Sequence, residues 1–120
     1  LGPTLHAMGY DFAYAAREER KDGCLIAWKT GKFALVQQAR VSFDDELLKS
    51  APQVCVLQRY SRKNVGLIVE LVPTTEEPLS GGLPERLVVA TTHLYWGPLH
   101  EDVRAWQLQV LLECIDEKFA

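Results

Sequence analysis

His93, Tyr95, Trp96 and Pro98 crowd the end of the stretch Leu87-Val88-Val89-Ala90-Thr91-Thr92-His93-Leu94-Tyr95-Trp96-Gly97-Pro98. An imidazole there can donate to a phosphate oxygen or move a proton near neutral pH. The stretch opens as an apolar, β-branched run, which predicts a buried strand, and closes in Gly-Pro, a loop signal. A strand end that releases a His, two aromatics and a rigid Pro suits a ligand-facing edge. The competing reading is a strand whose His caps the sheet and whose aromatics fill the core. Elsewhere the sequence has no nucleophile elbow, phosphate-cradling Gly-rich loop or His-x-x-x-His pair. Asp44-Asp45-Glu46 reads as a solvated helix start rather than a metal site, because adjacent helical positions point apart. His6 and His100 read as surface residues.

The elements that must carry this edge follow from the rest of the chain. Thr4 to Met8 looks like a helix end stopped by Gly9, and Tyr10 to Tyr14 like a short strand. Arg17 to Asp22 is a charged, solvated run. Cys24 to Trp28 and Phe33 to Val36 are apolar runs joined by Thr30-Gly31-Lys32, which predicts a hairpin. Ser42 is a helix N-cap candidate with three acids behind it, and the helix ends before Pro52. Val54 to Leu57 fits a strand or an apolar turn. Val65 to Val72 is a strand. Residues 74–85 read as a flexible loop joining two antiparallel strands, or as a domain boundary, although each side alone has too little core. Glu101 to Phe119 is the longest helix, with Val103, Trp106, Val110 and Cys114 at helical spacing and Leu111 and Ile115 beside them. The expected class is α/β, a mostly antiparallel mixed sheet covered by helices.

Bulk properties narrow the function classes. The 120 residues are 48% hydrophobic and 24% charged, which fits one globular unit with its own core. A net charge of -3 offers no general attraction to nucleic acid or anionic membrane, so a nucleic-acid partner must be held by a local site. No apolar run approaches the ~18 residues of a membrane span. Three scattered cysteines, Cys24, Cys55 and Cys114, form no framework or zinc pattern and are expected to be buried free thiols in a reducing compartment. The start at Leu1-Gly2-Pro3 has no Met or basic leader and reads as a beginning within a longer protein or after processing.

Three segments in series carry a family resemblance. Lys21-Asp22-Gly23-Cys24-Leu25-Ile26-Ala27-Trp28-Lys29 with Lys32-Phe33 is the first. Asn64-Val65-Gly66-Leu67 is the second. Thr92-His93-Leu94-Tyr95-Trp96-Gly97-Pro98 with Asp102-Val103-Arg104 and Gln107 is the third. Together they resemble the carbon-catabolite-repressor-type deadenylases, nocturnin and the Angel proteins of the exonuclease-endonuclease-phosphatase superfamily. The resemblance implies a deoxyribonuclease-like two-layer α/β sandwich, with residues 1–120 as the central portion of one catalytic domain. It implies magnesium-dependent hydrolysis of RNA phosphodiesters by a 3′-exoribonuclease that removes poly(A) tails. A nucleotide or phospholipid-headgroup phosphatase or phosphodiesterase, and a catalytically inactive RNA- or protein-binding relative, are the alternatives.

Residue by residue, His93 matches the family His beside the scissile phosphate. Pro98 matches the Pro that packs on a nucleobase, and Arg17 falls where nocturnin-like members have a phosphate-contacting Lys. Tyr95 and Trp96 flank the phosphate and base positions, with core packing as the other reading of Trp96. The family's metal-binding Glu, Asp-x-Asn and Asp-His motifs do not appear, so ligands for magnesium are expected outside this segment. Gly97 and Thr91 depart from the deadenylase pattern, where Asp and Asn are common. Tyr95 and Gly97 also differ from the basic residues of nocturnin-like members, which argues against a dinucleotide phosphate and for poly(A). A poly(A) tail, a deadenylase complex, no membrane, and a cytoplasmic location with the nucleus as alternative complete the expectation.

Overall fold

The computed structural model describes residues 1–50, 52–74 and 85–119. Its centre is the strand that reads Val65-Gly66-Leu67-Ile68-Val69-Glu70-Leu71-Val72-Pro73. That run lacks polar alternation because both of its faces are covered. In chain order the strands are β1 (Tyr10–Ala16), β2 (Gly23–Lys29), β3 (Phe33–Ser42), β4 (Val65–Pro73) and β5 (Leu87–Thr92). The helices are α1 (Gly2–Ala7), α2 (Phe43–Lys49), α3 (Val54–Tyr60) and α4 (Glu101–Phe119). One sheet is β1-β2 and the other β3-β4-β5, and every pairing is antiparallel.

Side chains alternate along β4, so its two faces build two cores. Val65, Leu67, Val69 and Leu71 pack against Ala13, Ala15, Cys24, Ile26 and Trp28 of the first sheet. Ile68 faces the opposite way, into Val41, Phe43, Val110, Leu111, Cys114 and Phe119. The result is a sandwich of two sheets with α2 and α4 against the outer face of the second. Gly66 lets α4 come close: a Cβ there would lie 2.9 Å from Leu111 Cδ1. Ser42 caps α2 as expected, its hydroxyl accepting from the Asp45 N–H at 3.3 Å.

Four expectations are corrected. The predicted β2–β3 hairpin does not form; β2 pairs with β1, and β3 with β4. The turn at Thr30 to Lys32 is instead a corner between the sheets. Thr30 N–H and Oγ1 both donate to Gly9 O, while Lys32 O accepts from Thr74 N–H. The ten-residue β3 takes the long free edge of β4. Val54 to Leu57 is neither strand nor turn but the start of α3. Consequently Cys55 is exposed, whereas Cys24 and Cys114 are buried free thiols. Finally, β5 is only half-buried, because β4 pairs with one of its edges and no strand pairs with the other among the described residues.

The loop expected over residues 74–85 lies, for 75–84, outside the described residues; the strands it joins do pair, from Gly66 with Thr92 to Leu71 with Leu87. Among the described residues no helix is long and apolar enough to cross a membrane.

Candidate functional site

Strand directions bring three connections to one end of the sandwich. β1 ends at Ala16 opposite Gly23, and β5 ends at Thr92 opposite Gly66, where β4 starts. The turn after β1, the segment before β4 and the segment after β5 therefore emerge together. Between them lies a cleft of about 390 Å³. Arg17 and Arg20 line it from the first connection, Ser61, Arg62, Lys63 and Asn64 from the second, and His93, Leu94, Tyr95 and Trp96 from the third.

The walls are fixed by hydrogen bonds that local sequence explains. Arg17 donates through Nε to Lys63 O at 2.9 Å, and through its terminal nitrogens to Arg62 O at 3.3 Å and to Asp22 at 3.1 Å. It ties the first connection to the second, and that ion pair lowers the Asp22 carboxyl below its ordinary range. Glu19 and Lys63 both adopt left-handed backbone, at φ 58° and 57°. Such non-glycine positions cost ~1–3 kcal/mol and persist only where neighbours over-determine them. The two side chains form an ion pair with each other. The Asp44 carboxylate in the first turn of α2 accepts from the Arg62 and Lys63 N–H groups at 3.1 and 3.2 Å, holding the second connection from below. Asp44 thus has a positioning job beyond favouring a helix start.

In the third connection, the His93 side chain is exposed while its carbonyl accepts from Asn64 Nδ2 at 3.0 Å. The Tyr95 N–H donates to Gln107 Oε1 at 3.0 Å, and Tyr95 O accepts from Arg104 at 3.2 Å. The Arg62 guanidinium lies over the Tyr95 ring, 4.4 Å from its centroid, and His100 meets that ring edge-on at 5.0 Å. His100 is not a simple surface residue: its Nδ1 is buried with no hydrogen-bond partner among the described residues. Burial, then Arg59 and Arg62, push its pKa down. Trp96 is not core; it is 76% exposed beside the cleft, its ring 5.9 Å from that of Tyr95.

Four of the five expected site residues, Arg17, His93, Tyr95 and Trp96, line one cleft. Pro98 does not line it. Its exposed ring sits in the turn closed by His100 N–H to Gly97 O at 3.1 Å, leading into α4. Gly97 is required before it, since a Cβ there would lie 2.6 Å from the Tyr95 ring. Arg20, Arg62 and Lys63 were not anticipated, although Arg62-Lys63 directly before Asn64 and a confident strand was a usable signal. No carboxylate pairs with Arg20 or Arg62 among the described residues. Arg62 spends its Nε on Arg59 O at 2.8 Å and a terminal nitrogen on His100 Nε2 at 3.3 Å, so Arg20 has the more open guanidinium fork, a geometry that suits a phosphate.

The acids at the rim do not make a metal centre. Asp22 is held by Arg17 and Glu19 by Lys63, and no group of three or more His, Cys, Asp or Glu among the described residues could hold an ion. The cleft is lined by cationic side chains, a lining suited to an anion.

Comparison with known proteins agrees with the fold. The CCR4-Not complex 3′-5′-exoribonuclease subunit Ccr4 of Yarrowia lipolytica is 30% identical over 98% of this chain and 18% of its own length. Human protein angel homolog 2 is 34% identical over 93% of this chain and 18% of its own length. A crystal structure of ANGEL2, a 2′,3′-cyclic phosphatase, in complex with adenosine-2′,3′-vanadate superposes with a TM-score of 0.72 at 33% identity, over 96% of this chain and 29% of that one. Over these residues the chain belongs to the Ccr4, Angel and nocturnin group. The human nocturnin catalytic domain, with bound sulfate, shares the fold at a TM-score of 0.63 and 18% identity, over 95% of this chain and 40% of that one. No family model matches the chain. It spans about a fifth of the length of the curated relatives of the group that it matches. The α/β sandwich is that of the group's solved members, and its named members include hydrolytic enzymes.

Proposed function

We propose that the cleft binds the phosphate at the 3′ end of RNA, as the substrate-holding side of a phosphoesterase, and that the whole protein is a 3′-exoribonuclease acting on poly(A) tails. One observation carries this reading: the exposed His93 imidazole and Trp96 indole stand at the rim of a cleft lined by Arg17, Arg20, Arg62 and Lys63. Cations neutralise the phosphoryl group, the imidazole donates to a non-bridging oxygen where charge develops, and the indole offers a face to the base. Arg17 holds the cleft wall, Arg20 brings a guanidinium group that no carboxylate pairs with among the described residues, and Arg62, tied to Arg59 O and His100, adds positive charge beside the Tyr95 ring. Magnesium belongs to this reading through the resemblance; its ligands would come from outside these residues, and no step is derived through it. The name of Ccr4, a 3′-5′-exoribonuclease subunit of the CCR4-Not complex, supports an RNA substrate and a multi-subunit complex as partner; deadenylation of messenger RNA in the cytoplasm or nucleus belongs to this reading through the resemblance alone.

A second reading is favoured by ANGEL2, a 2′,3′-cyclic phosphatase at 33% identity. The same cations and imidazole would then hold a cyclic phosphate at an RNA terminus, and the strand would not be shortened. One experiment separates the two. The full-length protein is incubated with magnesium and 5′-labelled RNA ending in five adenosines, closed by a 3′-hydroxyl or by a 2′,3′-cyclic phosphate. Stepwise shortening of the hydroxyl-ended strand supports the exoribonuclease. Opening of the cyclic end alone supports the phosphatase. Neither reaction, from protein shown to be folded, overturns both.

A further inference from the structure

Gln107 lies mid-way along α4 and is 0% exposed, on a helix face otherwise given to Val103, Val110 and Leu111. A buried carboxamide is costly unless its donor and acceptor are both satisfied. Both are satisfied. Gln107 Oε1 accepts from the Tyr95 N–H at 3.0 Å, and its Nε2 donates to Asn64 Oδ1 at 3.0 Å. Asn64, 4% exposed, donates through Nδ2 to His93 O at 3.0 Å.

The direction of this chain is fixed at both ends. A backbone N–H only donates, so Gln107 must turn its oxygen to Tyr95. A carbonyl only accepts, so Asn64 must turn its nitrogen to His93. The remaining nitrogen and oxygen then face each other as a matched pair. An apolar side chain of similar volume would fill the space but leave the Tyr95 N–H and Asn64 Oδ1 unpaired. The two backbone groups flank Leu94, so the relay sets the segment that presents His93 and Tyr95 relative to a rigid helix and the central strand.

We infer that Gln107 is a positioning residue that, through Asn64, fixes the His93–Tyr95 segment in the orientation the cleft needs to hold a phosphate. This rests on the reading of the cleft given above. A mere core filler would be replaceable by Met; a positioning residue would not.

The test uses the full-length protein with Gln107→Met, Gln107→Glu and, as a control on the same helix, Leu111→Ala. Two readouts are taken: amide hydrogen exchange at Tyr95 against Ile68, and the Kd for a phosphorothioate oligo(A) that resists hydrolysis. Gln107→Met should speed Tyr95 exchange about tenfold relative to Ile68, by removing that N–H's acceptor, and weaken binding several-fold. Gln107→Glu should weaken binding too, because a carboxylate has no donor for Asn64 Oδ1 whichever way Asn64 turns. Leu111→Ala should raise both exchange rates together, since it loosens the core without touching the relay. Tyr95 exchange that follows Ile68 in all three variants, or a Kd unchanged in Gln107→Met despite faster Tyr95 exchange, overturns the assignment. Wild-type protein that binds no oligo(A) overturns the reading of the cleft instead, and the exchange ratio still decides whether the relay holds Tyr95.

Discussion

Replacing Trp96 by Ala separates binding from folding more cleanly than any other change at the cleft. The side chain is 76% exposed, so only about a quarter of an indole's area, on the order of 60 Å², is covered. At ~25 cal/mol per Å² the stability at stake is about 1.5 kcal/mol, and less if the unfolded chain is compact. That corresponds to a fall in Tm of no more than about 6 °C for a chain of this size. Stacking of a base on an aromatic face is worth ~1–3 kcal/mol, or about 5- to 150-fold in Kd. Fluorescence anisotropy with labelled oligo(A) and with a base-free ribose-phosphate oligomer of equal length gives the comparison. Trp96→Ala should weaken oligo(A) binding at least fivefold and leave the base-free ligand within twofold. Trp96→Phe should fall between. Equal losses on both ligands would show that the indole supports the backbone rather than meeting a base, and the platform role would be refuted.

Pro98→Ala should change affinity for the same two ligands by one common factor, since its ring lies outside the cleft in the turn before α4; a loss selective for oligo(A) would return Pro98 to the site. Phe43 is 0% exposed between β4 and α4, and Phe43→Ala should cost ~3–5 kcal/mol in urea unfolding through the cavity it leaves, where a loss below ~2 kcal/mol would mean the core collapses to fill it. His100 has its pKa lowered in the fold by burial and by Arg59 and Arg62, so the unfolded chain takes up its proton first as pH falls. Its contribution is therefore present above the unfolded value and lost on acidification. Stability measured from pH 7.5 to 5.5 should drop, His100→Asn should flatten the slope, and an unchanged slope would contradict this.

Much of the architecture was legible in the sequence because patterns of burial are local. The unbroken apolar run of β4, the Ser42 cap and the periodic stripe of α4 each announce their element without reference to partners. Strand pairing was not legible: Thr30 to Lys32 satisfies the local rules for a hairpin and does close a turn, Lys32 N–H donating to Lys29 O, yet Thr30 N–H and Lys32 O bond to Gly9 and Thr74, which are distant in sequence. At the site, His93, Tyr95 and Trp96 stood out by type and adjacency. Arg62 and Lys63 did not, because a basic pair is common on any surface and only the left-handed turn held by Asp44 brings it to the cleft. Gln107 and Asn64 stand out in the sequence only as members of two separate motifs; that their side chains meet, 43 positions apart, is visible only in the fold.

The central claim is that His93 meets a phosphate in this cleft. The direct measurement is the imidazole ¹⁵N and ¹H resonances of the protein during titration with a hydrolysis-resistant oligo(A). His6, at the opposite end of β1 beside Phe12, serves as the internal reference. His93 should shift saturably, at the same ligand concentration as the Trp96 indole N–H, while His6 stays still. Saturable binding that moves the Trp96 signal but leaves His93 where it was would contradict the account.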